Sequence, residues 1–156
     1  MNAQVAVQYA VARRGVPAPV SFRRWAQAAL ARRRRPAALV VRVVGGAEMA
    51  RLNRRYRGKS GATNVLSFPF AAPLPQARDT LGDVVICAPC VRREAREQGK
   101  PVRAHWAHLT VHGVLHLLGY DHNGEGEARV MEGLEAKILG ALGYPDPYRG
   151  GDCDGR

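Results

Sequence analysis

Apolar residues recur along the chain in patterns that predict four β-strands. Val5, Val7 and Tyr9 alternate with smaller or polar residues, which is the two-residue period of a half-buried strand. Three more runs are rich in β-branched and other apolar residues, at positions 39–44, 64–68 and 81–87. We therefore expect four strands, although the order in which they pair does not follow from the sequence.

Apolar residues at helical spacing predict about five helices between and after these strands. The first is predicted to begin with Ser21 as its N-cap and to bury a stripe that includes Phe22 and Trp25. In the last, Val130 and Met131 are predicted to face inward. The second to fifth helices are predicted at positions 47–56, 89–99, 102–118 and 128–142.

Four strands interleaved with about five helices predict an α+β (mixed α/β) fold. The chain has 156 residues, a length that is typical of one domain with one core. We expect that domain to span residues 1–149. Residues 150–156 offer no apolar side chain large enough to anchor them, so we expect a disordered tail.

The eleven residues from His112 to His122 read HGVLHLLGYDH and hold three histidines at the spacing of a metal site. His112 and His116 are four residues apart, so on a helix both imidazoles leave from one face. Gly119 can adopt the left-handed conformation that ends a helix, and the chain can then bring His122 towards the same point. Three nitrogen ligands favour zinc and leave a fourth position for water. We therefore predict one Zn²⁺ per chain, although any one of these histidines taken alone is more typical of a hydrogen-bonded packing residue.

Neighbouring residues are candidates for supporting this metal site rather than for binding the ion. Asp121 directly precedes His122 and can orient a ligand imidazole through its carboxylate, or simply form a turn. His108 lies roughly on the ligand face of the same predicted helix. We interpret it as a hydrogen-bonding neighbour, since three histidines already suffice.

The histidine spacing is that of the long zinc motif of metzincin proteases, with one difference. Those proteases carry a glutamate after the first histidine, and that glutamate activates water. This chain has Gly113 at that position, so the general base of a peptidase is missing. The difference counts against peptidase activity.

Together with three other segments, this motif resembles the YbeY family of bacterial rRNA maturation factors. The other segments are the run from Asn64 to Phe70, the residues 81–83 and the pair Met131-Glu132. The resemblance covers positions from about 52 to 148. It implies a zincin-like fold in which about five helices pack around one small twisted sheet of about four strands. It also implies a single-strand-specific metallo-endoribonuclease that acts in small-subunit rRNA 3′-end maturation and in ribosome quality control. The implied partners are single-stranded RNA, rRNA and the small ribosomal subunit.

Composition agrees with a nucleic-acid partner. Lys and Arg number 24 against 13 Asp and Glu, a formal net charge of +11, which predicts attraction to a polyanion. No apolar run is long enough to span a bilayer and the N-terminus lacks a signal-peptide pattern, so we expect a cytoplasmic protein without a membrane partner. Cys87 and Cys90 have the spacing of a redox pair but no second pair for a zinc ribbon, and we interpret that spacing as coincidental.

A phosphodiester gathers negative charge in its transition state, so a cation is needed near the metal. Arg57 is the first candidate because it falls in a predicted basic loop over residues 57–63, and its position matches an arginine that the family resemblance implicates in activity. Arg57, Lys59 and Asn64 are also candidate RNA-binding residues. The competing interpretation of Arg57 is a solvent-facing loop charge.

Three functions remain open at this point. The first is a zinc-dependent endoribonuclease that cleaves RNA by hydrolysis or by attack of the ribose 2′-hydroxyl. The second is a ribosome-associated RNA-binding assembly factor whose zinc is structural. The third and least favoured is a metallopeptidase. Charge and metal ligands look alike for the first two, so the sequence alone does not separate them.

Overall fold

In the part of the chain that the structure describes, four strands form one mixed sheet in the order β1-β2-β4-β3, and five helices pack around it. The computed structural model describes residues 3–31, 33, 35–70, 79–121 and 124–148. The strands are β1 (Ala3–Tyr9), β2 (Ala37–Val44), β3 (Val65–Pro69) and β4 (Thr80–Cys87). The helices are α1 (Pro19–Leu30), α2 (Gly46–Arg57), α3 (Ala88–Gln98), α4 (Val102–Leu117) and α5 (Glu125–Ala141).

The sheet combines parallel and antiparallel pairing. β1 pairs with β2 and β2 pairs with β4 in parallel, whereas β3 runs antiparallel to β4. The α+β prediction and the numbers of strands and helices are confirmed. Strand order is new information, and it places β4 in the interior of the sheet with β3 at one edge.

The main core lies between one face of the sheet and helices α1 and α4. α4 is apolar nearly all round its axis, which is the pattern of a helix enclosed by protein. It contacts α1, α3, α5, β3 and β4, so the helix that carries His112 and His116 is also the central packing element. A rigid support is what a metal site needs, because its ligands must keep their geometry.

A smaller core lies on the other face of the sheet, under α2. Met49 packs there with Val44, Val85 and the two cysteines of the C-x-x-C segment. Both Cys87 and Cys90 are free thiols and both are buried. Burial, with a contribution from the Cys90 contact, raises the pKa of the Cys87 thiol to about 12. Burial makes both thiols packing residues rather than reactive ones, and the raised pKa of Cys87 further lowers the reactivity of that thiol.

Two predicted details of the helices are wrong. α1 begins two residues before Ser21, because Pro19 fits the first turn and Ala18 occupies the extended N-cap position. The buried Ser21 hydroxyl instead accepts a hydrogen bond from Arg103 at 2.9 Å. In α5, Met131 is buried as predicted, but Val130 is 58% exposed.

The predicted tail over residues 150–156 lies outside the described residues. Within the described ranges, no helix combines the length and apolar character that a membrane crossing requires.

Candidate metal centre

His112 and His116 lie one turn apart on α4 and face the same cleft, as their spacing predicts. Their ring centroids are 4.7 Å apart and both residues are partly exposed. The cleft has a volume of about 580 Å³. Its other walls come from three places: the end of α2, the strand β3 with the residues that lead into it, and the turn after α4, which contribute Arg57, Thr63–Ser67, Pro69 and Gly119–Asp121.

The chain reverses after α4 at the predicted glycine. Gly119 has φ of 101°, a left-handed value that side chains with a Cβ rarely adopt. The amides of Gly119 and Tyr120 bond back to the carbonyls of His116 and Leu115 at 3.0 and 3.1 Å. The turn carries Asp121 into the wall of the cleft. His122, the third predicted ligand, lies outside the described residues, so its role stays a prediction.

Donor atoms suited to a metal ion are close together in this region. One ring nitrogen each from His108 and His112 and one carboxylate oxygen of Glu135 lie within 4.8 Å of one another, an arrangement that can hold a metal ion. His112 thus belongs both to this cluster and to the cleft. Imidazole nitrogens suit zinc, copper, iron and nickel, so the donor set fits a transition-metal ion without identifying it.

Glu135 is a buried carboxylate behind His112. It is 0% exposed, and its Oε2 accepts a hydrogen bond from Nδ1 of His112. Its Oε1 accepts one from the Tyr148 hydroxyl and lies 3.5 Å from Nε2 of His108. Burial alone would raise the pKa of Glu135, but hydrogen bonds from His108, His112 and Tyr148 outweigh it and hold the pKa at about 2. Burial raises the pKa of Tyr148, and the hydrogen bond to the Glu135 carboxylate raises it further.

Arg57 lies in the wall of the cleft that faces the histidines. It is the last residue of α2 rather than part of the following loop, because the left-handed Gly58 ends the helix directly after it. Buried Asn53 fixes that loop through a 2.9 Å bond from its amide to the Gly61 carbonyl. The predicted proximity of an arginine to the histidines is therefore found, on a helix end that the sequence assigned to a loop. Lys59 is exposed and is not among the described residues that line the cleft.

Asn64 lines the cleft, but its side-chain amide is engaged away from it. The amide donates to Glu94 Oε1 at 3.0 Å, and Nε2 of His105 lies 2.8 Å from the same oxygen. Burial lowers the pKa of His105, although the Glu94 hydrogen bond opposes that shift. His105 is thus a hydrogen-bonded residue of the protein interior. Asn64 joins β3 to α3 as well as bordering the cleft.

Gly113 is required by close packing of α4 against the sheet. A Cβ at this position would lie 2.4 Å from Cγ1 of Val84 and 3.3 Å from Oγ of Ser67. The Ser67 hydroxyl donates a hydrogen bond of 2.8 Å to the Gly113 carbonyl, which ties β3 to α4 at the same point. The glutamate of the protease motif therefore has no space here, which gives a steric reason for the glycine in the sequence.

Sequence reasoning missed Glu135, Tyr148 and Ser67. A signal for Glu135 was present, because it falls on the inward side of the predicted α5 stripe, and a buried acid requires partners. Tyr148 and Ser67 gave no comparable signal. Their contacts join segments 13 and 46 residues apart along the chain.

Comparisons with known proteins identify the family of this chain. A family model described as Endoribonuclease YbeY matches residues 16–143. A relative from Alkalilimnicola ehrlichii with the same description is 63% identical over 92% of this chain and 89% of its own length. One from Stenotrophomonas maltophilia is 60% identical over 94% of this chain and 93% of its own, and one from Nitrosococcus oceani is 55% identical over 95% and 98%.

The fold also matches a solved structure. The solution structure of TM1509 from Thermotoga maritima aligns with a TM-score of 0.62 at 21% identity, over 97% of each chain. That likeness concerns the fold alone. The family model and the full-length relatives settle the classification, and the chain belongs to the Endoribonuclease YbeY family.

Proposed function

We propose that this protein is a zinc-dependent endoribonuclease that cleaves single-stranded RNA, acting in the cytoplasm on the 3′ end of small-subunit rRNA and in ribosome quality control. The observation that carries the proposal is the shared cleft, in which Arg57 lies with His112 and His116. A cation and two metal-ligating imidazoles in one solvent-accessible groove are the parts that phosphodiester cleavage needs. The name borne by the relatives, Endoribonuclease YbeY, gives the same activity.

One zinc ion per chain would be held by His112, His116 and His122. Nitrogen ligands and a tetrahedral preference favour zinc, and three protein ligands leave one position open to the substrate side. When bound, zinc supplies Lewis acidity at a phosphoryl oxygen and makes water a better nucleophile near neutral pH. The proposal leaves attack by water and attack by the ribose 2′-hydroxyl as alternatives within one enzyme class.

Arg57 would bind the scissile phosphate and stabilise the charge that develops on it. Its guanidinium has a planar array of donors that matches two phosphate oxygens, and it stays charged at all relevant pH values. The backbone of Arg57 is held in place because Gly58 ends the helix directly after it and because the hydrogen bond from Asn53 to the Gly61 carbonyl orders the next loop. A cation held in place before the reaction needs little reorganisation during it.

RNA would reach the cleft along a basic surface at the end of α2. Arg54 and Arg55 lie in the last turn of that helix, and Lys59 follows it, all of them exposed. The whole chain carries a formal net charge of +11, and these cations on its surface attract the phosphate backbone without reading its sequence. Weak sequence preference and a strong dependence on salt follow from that mode of binding.

The two rival functions differ from this proposal in testable ways. A peptidase of the metzincin type needs the glutamate for which Gly113 leaves no space. An RNA-binding factor with structural zinc would use Arg57 for affinity alone. Cleavage rate and RNA affinity, measured on the same variant, therefore separate an enzyme from a binding factor.

The deciding experiment compares Arg57→Ala with the matched control Arg54→Ala, which removes an equal charge from the same helix outside the cleft wall. We expect Arg57→Ala to lower the single-turnover cleavage rate of a short single-stranded RNA by about 10²- to 10³-fold, by analogy with loss of one oxyanion donor. RNA affinity should fall modestly and equally in both variants. A wild-type cleavage rate in Arg57→Ala would return Arg57 to a solvated surface charge.

A further inference from the structure

Glu135 is the one acidic side chain that is buried among the residues the structure describes. A carboxylate without solvent is costly unless donors surround it, and Glu135 has donors on both oxygens. His112 donates to Oε2, while Tyr148 donates to Oε1 and His108 lies beside that oxygen. These donors come from α4 and from the segment after α5, so Glu135 links its own helix, α5, to both of them.

The contact with His112 fixes more than the position of its ring. A neutral imidazole carries its proton on one nitrogen and its lone pair on the other. Nδ1 can donate to the Glu135 carboxylate only if it holds the proton, which places the lone pair on Nε2. Since a metal binds the lone pair, this hydrogen bond selects the nitrogen that His112 offers to an ion.

The geometry also separates the Glu135 cluster from the place where an ion would bind. His112 and His116 line the cleft, whereas Glu135 and His108 do not belong to its described lining. An ion on Nδ1 of His112 would take the place of the hydrogen bond to Glu135 and would have no solvent path at a carboxylate that is 0% exposed. These contacts therefore favour an arrangement in which Glu135 holds His112 from the side of the ring that faces away from the cleft.

We propose that Glu135 is a positioning residue for the metal centre, and that it holds His112 in the tautomer and orientation that present Nε2 to the ion in the cleft. Tyr148 fixes Glu135 in turn. This inference rests on the proposed function, since it presumes an ion on His112. Carboxylates and carbonyls behind metal-bound histidines tune affinity in this way, and their loss costs about 10- to 100-fold in metal affinity.

The first test needs neither metal nor mutation. Long-range ¹H–¹⁵N correlation spectra of the metal-free wild-type protein at pH 8 report which ring nitrogen of His112 carries the proton. We expect the proton on Nδ1. A proton on Nε2 overturns the proposal. Because no metal is present, this result stands apart from whether the protein binds zinc, and absence of zinc binding in the wild type would count against the proposed function instead.

The second test measures zinc affinity by competition with a chromophoric chelator. Glu135→Gln keeps the size of the side chain but removes its charge, and we expect zinc to bind about 10- to 100-fold more weakly. The matched control is Glu127→Gln, on the exposed side of the same helix, which should bind zinc within about twofold of wild type. Equal affinity in Glu135→Gln and wild type overturns the proposal.

A second variant covers the case in which Glu135→Gln does not fold. Tyr148→Phe removes one donor to Glu135 from a ring that is partly exposed, so the fold should tolerate it. We expect a loss of about tenfold in zinc affinity, the lower end of the same range. Unchanged affinity would show that the carboxylate does not act through its hydrogen bonds, and the proposal would fail.

Discussion

Replacing Gly113 with alanine tests how α4 is held against the sheet. The added Cβ would lie 2.4 Å from Cγ1 and 3.2 Å from Cγ2 of Val84, and 3.3 Å from Oγ of Ser67. Val84 is 0% exposed on β4, which lies between β2 and β3. Its side chain therefore has little room to move aside, and either α4 or the strand must shift.

Three terms set the expected change in the free energy of unfolding. Overpacking a core by a methyl group costs about 1–3 kcal/mol. Displacing the Ser67 hydrogen bond to the Gly113 carbonyl costs about 1 kcal/mol more. Alanine gains about 1 kcal/mol over glycine in a helix, which offsets the second term. We expect Gly113→Ala to destabilise the protein by about 1–3 kcal/mol.

Urea unfolding of chelator-treated protein measures this difference without a contribution from bound metal. Gly133→Ala is the matched control, because Gly133 is an exposed helical glycine with nothing within 4 Å of an added Cβ. That variant should be more stable than wild type by up to about 1 kcal/mol. If Gly113→Ala is as stable as Gly133→Ala, the steric account of this glycine is refuted.

A double-mutant cycle assigns the clash to its partner. Val84→Ala alone leaves a cavity and lowers stability. In the Gly113→Ala background, Val84→Ala should lower the free energy of unfolding by less than it does in the wild type, because the smaller side chain at position 84 gives the new methyl group space. Additive effects would mean that Val84 is not the residue that Gly113 accommodates.

Four further expectations follow from the structure. RNA affinity should fall steeply as salt rises, because phosphate contacts dominate, and an affinity that salt leaves unchanged would remove the electrostatic basis of binding. Arg57→Lys should cleave RNA more slowly than wild type in single-turnover assays, since an ammonium cannot make the two-point phosphate contact, and equal rates would contradict this. Cys87 and Cys90 should resist alkylation in the native protein and react once it is unfolded, as mapped by mass spectrometry, because both are buried and the pKa of Cys87 is raised to about 12. Since the folded pKa of Cys87 lies above its ordinary value of 9.0, its contribution to stability should be complete below pH 9 and decline as pH rises from there towards 12, as urea unfolding at several pH values would reveal.

Local patterns were enough to predict the elements and the two histidines that share the cleft. Spacing alone placed His112 and His116 on one helix face, and Gly119 at the turn after it, because those features depend on a few consecutive residues. Arg57 shares the cleft with these histidines, but it was assigned to a loop, whereas Gly58 ends α2 one residue later than the periodicity indicated.

Features that depend on distant segments did not follow from the sequence. The need for Gly113 arises from Val84 and Ser67, which are 29 and 46 positions away in a strand order that no local pattern reveals. The role of Glu135 depends on the packing of α5 against α4, which brings its carboxylate to His112. The start of α1 differs from the prediction because two signals compete at this end of the helix. Pro19 favours the first turn, and this preference outweighs the preference of Ser21 for the N-cap position.

The central claim is that a metal ion in the cleft of His112 and His116 is required for RNA cleavage. The most direct test is the single-turnover cleavage rate of a short single-stranded RNA by chelator-treated protein, before and after one equivalent of zinc is added. His116→Ala, prepared in the same way, controls for contaminating nucleases. The account predicts that zinc restores cleavage in the wild type and not in His116→Ala. Cleavage that persists after removal of the metal, or that is equal in His116→Ala, would contradict it.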